Sequence, residues 1–270
     1  MTAASHPAPI QLPGLTGKVV VITGANGGQG TAETLLLLAS GATVIATDVQ
    51  EAASEVLATA SAAHPGQFHY LKLDVSSKDG WDAVASFLRN SGLLVHGLVN
   101  NAGIPWRARI GAVELEDWNR VIGINLTGTM LGMQMVLEFM TEGGSIVNIG
   151  SAAAVTGHHT AAYTASKWGV RGLTHVAATE LGPRNIRVNL VNPGYIQTPM
   201  MAAAPAIMQD AQLALTPLER LGEPQDVAAT VGFLLSDISG YVSGAELPVD
   251  GAFTSSAGVK YMSDLIKKNV

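Results

Sequence analysis

The sequence predicts an α/β fold in which a doubly wound parallel sheet is covered by helices on both faces. Short runs rich in β-branched residues alternate with longer helical stretches along most of the chain. These runs are apolar almost throughout, as expected for strands that are buried on both faces of a sheet. A glycine-rich turn follows the first run directly and opens the first helix, which completes the first strand–helix unit.

Each predicted element rests on a change of pattern in the sequence. The first strand, 18–23, reads KVVVIT, and an apolar helix follows the glycine turn as far as residue 39, where Gly41 ends it. The further strands, which bring the total to about seven, are expected at 42–47, 68–73, 94–100, 145–149, 186–191 and 247–249. The further helices are expected at about 51–63, 78–89, 116–140 and 163–181.

The chain is expected to form one domain, because no Pro-, Gly- or Ser-rich linker divides it. We place this domain at residues 14–270 and interpret residues 1–13 as a disordered extension. Residues 195–220 interrupt the alternation with an apolar, Met-rich insert, which is either a lid over an apolar substrate or a helical excursion packed on the core. The tail from about 253 to 270 does not indicate its role.

The composition argues against several classes of partner. The chain has 270 residues, a formal net charge of −6 and no long run of Lys or Arg, so we expect neither nucleic acid nor an anionic membrane as a partner. The first residues lack the basic start and the apolar core of a signal peptide, which favours a cytoplasmic location. Cysteine is absent, and His158 and His159 are adjacent rather than four residues apart, so we expect no metal site.

The glycine-rich turn has the properties of a phosphate-binding loop. Gly24, Gly28 and Gly30 let the backbone turn tightly and let a pyrophosphate approach the N–H groups at the start of the next helix. Asp48 ends the second strand, where a carboxylate can accept hydrogen bonds from the ribose of an adenosine and would repel a 2′-phosphate. No basic residue stands nearby to neutralise that phosphate, so NAD is favoured over NADP. The alternative for Asp48 is a purely structural role as a cap.

Tyr163 and Lys167 are the most informative pair of residues. Residues at this spacing share one face of a helix, so the phenol and the ammonium can point into one cleft. A free phenol titrates near about 10, and a nearby cation lowers its pKa. Ser151, upstream, can direct a hydrogen bond to an oxygen on which charge develops. A base and a donor of this kind are what hydride transfer from a carbinol carbon to nicotinamide requires, and no metal is needed.

The ordered set of motifs resembles the short-chain dehydrogenase/reductase family over residues 15–253. The motifs are the glycine turn, Asp74-Val75, Asn100-Asn101-Ala102-Gly103, Asn125, Ser151, Tyr163-x-x-x-Lys167, and Asn192-Pro193-Gly194 followed by Thr198. Segment 143–198 is particularly similar to bacterial hydroxysteroid and secondary-alcohol dehydrogenases. The resemblance implies a Rossmann-type fold and a nicotinamide-dependent oxidoreductase, whereas the fold alone does not select a substrate.

The resemblance also implies roles for the matching residues. Asn125 would anchor a water in a proton relay, Tyr163 would exchange the substrate proton, and Lys167 would bind the nicotinamide ribose and lower the tyrosine pKa. The adenine would lie at Asp74 and Val75, and segment 193–198 would hold the carboxamide of the nicotinamide. The expected cofactor-binding residues are Gly24, Asn26, Gly28, Gln29, Gly30, Asp48, Val49, Asp74, Val75, Asn101, Ala102, Gly103, Tyr163, Lys167, Pro193, Gly194, Ile196 and Thr198.

Three positions depart from the family pattern. Gly150 stands where many relatives have a second serine, and Gln29 replaces an aliphatic residue in the glycine turn. Gly251-Ala252 stands in place of a double glycine. None of these changes removes a catalytic group, but they leave the fine geometry of cofactor binding open.

The residues beside the motifs predict a class of substrate. Apolar and aromatic side chains with few charges suit a bulky, uncharged secondary alcohol or ketone of the aryl or steroid type. The expected substrate-binding residues are Ser151, Ala153, Val155, His158, Tyr195, Met200 and Met201. Arg107 and Arg109 are near enough in sequence to bind a carboxylate, but the favoured interpretation of both is a solvated loop.

Two other functions stay open at this point. A β-ketoacyl-type reductase of a biosynthetic pathway would often use NADPH, and Asp48 argues against it. A dinucleotide-sensing protein without turnover would have no evident need for Tyr163 as a base. The resemblance further implies a homotetramer, or else a homodimer, assembled through helices 116–140 and 161–181.

Overall fold

Seven parallel strands form one sheet in the order β3-β2-β1-β4-β5-β6-β7. The strands are β1 (Val19–Thr23), β2 (Thr43–Asp48), β3 (Phe68–Lys72), β4 (Val95–Asn100), β5 (Met140–Ile149), β6 (Arg187–Pro193) and β7 (Glu246–Val249). This computed structural model describes residues 11–202 and 205–268. All the predicted strands are present along the chain, so the α/β fold class is confirmed.

Helices cover both faces of the sheet. They are α1 (Gly28–Ala39), α2 (Glu55–Ala63), α3 (Lys78–Ser91), α4 (Leu115–Ile122), α5 (Gly128–Val136), α6 (Ala161–Leu181), α7 (Pro199–Ala202), α8 (Ala206–Leu215), α9 (Pro224–Leu235), α10 (Phe253–Ser256) and α11 (Val259–Lys268). The alternation of side chains along β1 separates two cores: Val20 and Ile22 pack with residues of α1 and α9, while Val19 and Val21 pack with residues of α3 and α5. None of the described helices is long and apolar enough to cross a bilayer.

The direction in which successive strands are added to the sheet reverses between β1 and β4. From β1 the order runs outward to β2 and β3 on one side and to β4, β5, β6 and β7 on the other. In open parallel sheets of this kind, ligands bind in the crevice that this reversal opens at the carboxyl ends of the strands. The glycine turn, Asn101, Ser151 and Gly194 all follow the carboxyl ends of their strands and therefore converge on this edge.

The single helix predicted at 116–140 is wrong in its continuity and in its end. Helix α4 stops at Ile122, a π-helical turn occupies Gly123–Thr127, and α5 ends at Val136. The apolar pattern continues to Met140 because that residue begins β5, where it pairs with Val95 of β4. An apolar run of this length does not distinguish a helix end from the start of a buried strand.

The Met-rich insert and the tail form a helical cap beside the crevice. The described part of the insert contains α7 and α8, and residues 203–204 lie outside the described residues. Helix α11 packs on α8, and Lys260 forms ion pairs with Glu219 at 3.1 Å and Asp264 at 2.5 Å. Most of the extension predicted at 1–13 lies outside the described residues, but the N–H of Leu12 donates to Ser40 Oγ at 3.1 Å.

Candidate active site

The glycine-rich loop after β1 packs directly against the end of β4. Gly24 has a φ of 67°, and a Cβ atom there would lie 2.8 Å from the Cα of Ala102. A Cβ atom at Gly30 would collide with the carbonyl oxygen of Gly24. The side-chain amide of Asn101 donates to the carbonyl oxygens of Thr23 and Gly24 at 2.9 and 3.1 Å. Glycine is therefore required for this path, which directs the free N–H groups of the first turn of α1 toward the crevice.

Asp48, at the end of β2, holds this loop in place. Its Oδ2 accepts from the backbone N–H of Asn26 at 3.0 Å, and its Oδ1 accepts from that of Gln50 at 3.2 Å. The side-chain amide of Asn26 donates in turn to Gln50 Oε1, to the carbonyl of Ala52 and to the Tyr70 hydroxyl, each at 3.0 Å. The structural role that the sequence left open for Asp48 is thus present, as an anchor of the glycine loop. Its contact with a ribose stays a prediction.

The residues predicted on the adenine side have local roles at the same edge. Asp74 Oδ1 accepts from the N–H and the hydroxyl of Ser76 at 2.9 and 2.7 Å. Val75 is buried, and its carbonyl oxygen accepts from the indole of Trp81 at 2.9 Å. Val49 is 63% exposed just after β2. These contacts fix the backbone around the predicted adenine position, while contacts with an adenine itself stay a prediction.

Tyr163, Lys167 and Ser151 line one pocket at the carboxyl edge of the sheet. Helix α6 places Lys167 Nζ 5.8 Å from the centroid of the Tyr163 ring. Ser151 precedes a 3₁₀ turn after β5, and its Oγ accepts from the N–H of Ala153 at 3.1 Å. Ser151 also forms a hydrogen bond with Tyr163, so its hydroxyl links the two polar groups in the pocket.

Burial dominates the electrostatics of Tyr163 and Lys167. Lys167 is buried and donates to the carbonyl oxygen of Ile149 at 2.7 Å, and burial lowers the pKa of its ammonium to about 8. Burial raises the pKa of the Tyr163 phenol, and a hydrogen bond with Ser151 acts in the opposite direction. The pKa of Tyr163 is therefore raised here, with desolvation as the largest cause, and the lowering of that pKa by Lys167 stays a prediction.

Asn125 lies in the π-helical turn between α4 and α5 and is buried. Its Oδ1 accepts from the N–H of Ile104 at 2.9 Å, and its amide donates to the carbonyl of Ile104 at 3.1 Å and to Ser166 Oγ at 3.0 Å. It thereby ties the loop after β4 to the residue before Lys167. Asn125 does not line the pocket, so its predicted contact with a relay water stays a prediction.

The absence of a side chain at Gly150 is explained by Asn192, which is close in space although no sequence motif links the two residues. A Cβ atom there would collide with Oδ1 of Asn192 at the end of β6. The same Oδ1 accepts from the N–H of Ser151 at 3.1 Å. Asn192 therefore occupies the space of a second serine side chain and holds the backbone of Ser151 instead.

The pocket contains most of the predicted substrate residues and part of the Met-rich insert. Ser151, Ala153, His158, Tyr195, Met200 and Met201 line it, whereas Val155 does not. The sequence missed Thr156, Thr160 and Phe253, which also line it, as does Met208. Met208 belongs to the insert that the sequence singled out, but no local pattern marks Phe253 of α10, which reaches the pocket from the tail.

His158 and Tyr195 form a polar pair in this pocket. His158 Nδ1 lies 2.8 Å from the Thr160 hydroxyl and accepts from the Thr160 N–H at 3.4 Å, and Nε2 lies 3.4 Å from the Tyr195 hydroxyl. Burial, and then the neighbouring His159, lowers the pKa of His158, so the ring is neutral at pH 7. With Nδ1 as acceptor, the ring proton lies on Nε2 and points toward the Tyr195 oxygen.

The predicted cofactor residues fit a nicotinamide dinucleotide. The glycine loop leaves no room for a Cβ atom, and a carboxylate stands at the end of the second strand. The same pocket continues along the predicted nicotinamide position, where it is lined by Gln29, Asn101, Gly103, Pro193, Gly194, Ile196 and Thr198. Oε1 of Gln29 is buried without a partner among the described residues.

Comparison with known proteins agrees with this geometry. A family model described as enoyl-(acyl carrier protein) reductase matches residues 24–254. The chain is 41% identical to a 3-oxoacyl-(acyl-carrier-protein) reductase of Thermotoga maritima, over 88% of this chain and 98% of the relative. It is 39% identical to cyclopentanol dehydrogenase of Comamonas testosteroni over 88% and 98% of the two chains. It is 38% identical to 3-alpha-(or 20-beta)-hydroxysteroid dehydrogenase of Mycobacterium tuberculosis over 88% and 89%.

A solved structure extends the comparison to the fold. A short-chain dehydrogenase/reductase of Brucella melitensis, described as a glucose/ribitol dehydrogenase, superposes with a TM-score of 0.83 at 33% identity and covers 90% of this chain and 99% of its own. The chain therefore belongs to the short-chain dehydrogenase/reductase family and is an oxidoreductase. Members of this family bind nicotinamide dinucleotide cofactors.

Proposed function

We propose that this protein is an NAD-dependent dehydrogenase that transfers a hydride reversibly between the cofactor and a bulky hydrophobic secondary alcohol or ketone. The observation that carries the proposal is the meeting of Tyr163, Ser151 and Lys167 in a pocket whose other walls include methionine and aromatic side chains. The similarity to cyclopentanol and hydroxysteroid dehydrogenases supports the same type of substrate.

The proposed mechanism assigns one step to each of the three polar groups. NAD supplies the hydride acceptor for alcohol oxidation. Ser151 donates its hydroxyl proton to the substrate oxygen, in place of its hydrogen bond with Tyr163, and fixes the position of that oxygen. The phenolate of Tyr163 removes the proton of the substrate hydroxyl as the carbinol carbon is oxidised, and the phenol returns it during reduction. Lys167, held by the Ile149 carbonyl, presents its ammonium beside the phenol and stabilises the phenolate.

The preference for NAD is supported by the charges around Asp48. The groups that hydrogen-bond to this carboxylate are the N–H groups of Asn26 and Gln50, and the amide and phenol of the same cluster are neutral. Lys72 of β3 is in register with Asp48, but its ammonium is paired with Glu51 at 2.6 Å. A 2′-phosphate would therefore meet a carboxylate whose neighbouring cation is already paired.

A second candidate, reduction of a β-ketoacyl thioester, is favoured by one specific observation. The Thermotoga relative, a 3-oxoacyl-(acyl-carrier-protein) reductase, is 41% identical. The two functions differ in the nature of the substrate, because a thioester would carry a long carrier arm past the Met-rich insert. They also differ in the expected cofactor, since the second would often use NADPH.

The test is a spectrophotometric screen at 340 nm of the purified protein. NAD and NADP are each paired with aryl, alicyclic and steroid secondary alcohols, and NADH and NADPH are paired with the ketones and with an acetoacetyl thioester. Turnover of a bulky alcohol with NAD is the expected result. Preferential turnover of the thioester with NADPH would establish the second candidate, and cofactor binding without turnover of any substrate would favour a sensor.

The proposal includes a homotetramer, or a homodimer, in the cytoplasm. Helix α6 exposes Trp168 and Val176, which are 45% and 59% accessible, on a surface suited to a partner. Light scattering coupled to size-exclusion chromatography would give the mass directly, and a monomer would refute the assembly.

A further inference from the structure

The active-site pocket is electropositive, although the whole chain is acidic. The formal net charge is −6, yet the described residues that line the pocket include no Asp or Glu. They do include two cations, Lys167 and Arg107. Lys167 is occupied by the carbonyl of Ile149. A pocket for a purely hydrophobic substrate has no need of a second cation, so Arg107 requires its own explanation.

Arg107 lies on the loop after β4, with its side chain exposed at the pocket. It has no hydrogen bond or ion pair to any other part of the chain between residues 11 and 202 or 205 and 268. Arg109, two residues further on, is exposed as well but does not line the pocket. The loop thus presents one arginine to the pocket and one to solvent, where the sequence favoured solvent for both.

Two hydrogen-bond donors accompany Arg107 in the pocket wall. The His158 ring proton points toward the Tyr195 oxygen, so the Tyr195 hydroxyl proton is free to point elsewhere. Burial and then Tyr163 raise the pKa of Tyr195, whereas the charge of Arg107 lowers it, which places the guanidinium within electrostatic reach of this phenol. The buried indole N–H of Trp106, the residue before Arg107, has no partner among the described residues.

We propose that Arg107 and Tyr195, with the indole of Trp106 beside them, form a subsite for a carboxylate of the substrate. The substrate is then a secondary alcohol or ketone with an apolar body and an acid group. The methionines of the insert contact the body, and Arg107 binds the acid group. This inference rests on the proposed function, and it names the substrate class of the same pocket.

The test compares a cyclic keto acid with a neutral analogue of the same shape. The probes are 4-oxocyclohexanecarboxylate with its carboxamide, and 3-oxo-5β-cholan-24-oate with its methyl ester, each reduced with NADH. The variants are Arg107→Gln and, as a matched control from the same loop, Arg109→Gln. Binding of the unreactive cyclohexanecarboxylate in the presence of NADH is measured by calorimetry for each variant.

We expect the wild type to prefer at least one acid over its neutral partner in kcat/KM. Arg107→Gln should lower kcat/KM for that acid by about tenfold or more while changing the neutral partner by less than about threefold. Arg109→Gln should change neither. Because the guanidinium is exposed, the preference for the acid should also decline as salt is added.

The outcomes separate this inference from the proposed function. Equal use of acid and neutral probes by the wild type, or an equal loss for both in Arg107→Gln, would overturn the carboxylate subsite and leave the dehydrogenase standing. Weaker binding of NADH by Arg107→Gln would also overturn it, because the arginine would then contact the cofactor. If no ketone is reduced, the proposed function fails, and calorimetry still decides whether Arg107 binds a carboxylate.

Discussion

Helices α1 and α6 each bury an ionisable side chain four residues after a polar residue that lines the pocket. On α6 these residues are Lys167 and Tyr163, and on α1 they are Glu33 and Gln29. Burial moves both ionisable groups to a pKa of about 8, downward for Lys167 and upward for Glu33. Lys167 donates to a carbonyl oxygen, whereas both carboxyl oxygens of Glu33 lack a partner among the described residues.

The difference shows that a strongly shifted pKa does not by itself mark a catalytic group. Lys167 shares the pocket with a phenol and a hydroxyl, and its ammonium is kept at a defined position. Glu33 faces the interior between α1 and its neighbours, does not line the pocket and is held neutral by desolvation alone. The arrangement around Lys167 suits proton exchange, whereas the burial of Glu33 should affect only the stability of the protein.

The largest expected effect is on the α6 side. Tyr163→Phe removes the group that exchanges the proton and preserves the ring, so we expect kcat to fall by about 10²–10⁴-fold. Binding of NAD, measured by fluorescence titration, should change little. Turnover within tenfold of the wild type would overturn the role of Tyr163. The titratable groups of α6 would then contribute no more to turnover than those of α1.

The corresponding change on α1 should alter stability instead of turnover. Burial raises the pKa of Glu33 in the folded protein to about 8, from its ordinary value of 4.5. Between these values the unfolded chain loses a proton that the folded chain retains, so stability falls with rising pH by about 1.4 kcal/mol per unit. Glu33→Gln carries no such proton, so it should match the wild type near pH 5 and exceed it by roughly 4 kcal/mol near pH 8.

Urea unfolding from pH 5 to pH 8.5 measures this difference, and the exposed Glu180→Gln is its control. The control should follow the wild type at every pH. Parallel pH profiles for Glu33→Gln and the wild type would mean that the Glu33 carboxyl ionises freely in the folded protein.

The two helices also show which features of the site could be predicted from the sequence. The spacing of Tyr163 and Lys167 is a local feature of the sequence, and it located the pocket. The strand before the glycine turn is also a local feature, and it indicated the fold. Glu33 stands in a helix whose apolar residues lie on several sides, so its periodicity does not reveal that a carboxyl group is buried. One of the elements that pack on α1 is α9, which comes from far along the chain.

Contacts between distant segments account for the other features of the site that could not be predicted from the sequence. Asn192 supports Ser151 across 41 residues, and Asn125 reaches Ser166 across 41 residues from a π-helical turn inside a predicted continuous helix. Desolvation of the Tyr163 phenol likewise depends on the whole pocket. A motif identifies which residues take part, whereas the packing of other elements sets their charge and their hydrogen bonds.

A smaller effect tests how the α6 site is supported from the neighbouring strands. Gly150→Ser places a side chain in the space of Asn192 Oδ1, so we expect a loss of about 1–3 kcal/mol in unfolding free energy and slower turnover as Ser151 shifts. Adding Asn192→Ala should recover part of the stability, because the colliding atom is removed. A stable and fully active Gly150→Ser would show that Asn192 moves away without cost.

The smallest expected effect is on the α1 side, at the carboxylate that holds the loop before this helix. Asp48→Asn keeps a carbonyl oxygen for the N–H of Asn26 but removes the charge, whereas Asp48→Ala removes both. If the charge excludes a 2′-phosphate, both variants should shift the ratio of kcat/KM for NAD and NADP toward NADP by about tenfold, or roughly 1.4 kcal/mol. Only Asp48→Ala should also lower the thermal midpoint. A ratio that is unchanged in both variants would reduce Asp48 to an anchor of the glycine loop, and the region of α1 would then contribute geometry to the site without selecting its cofactor.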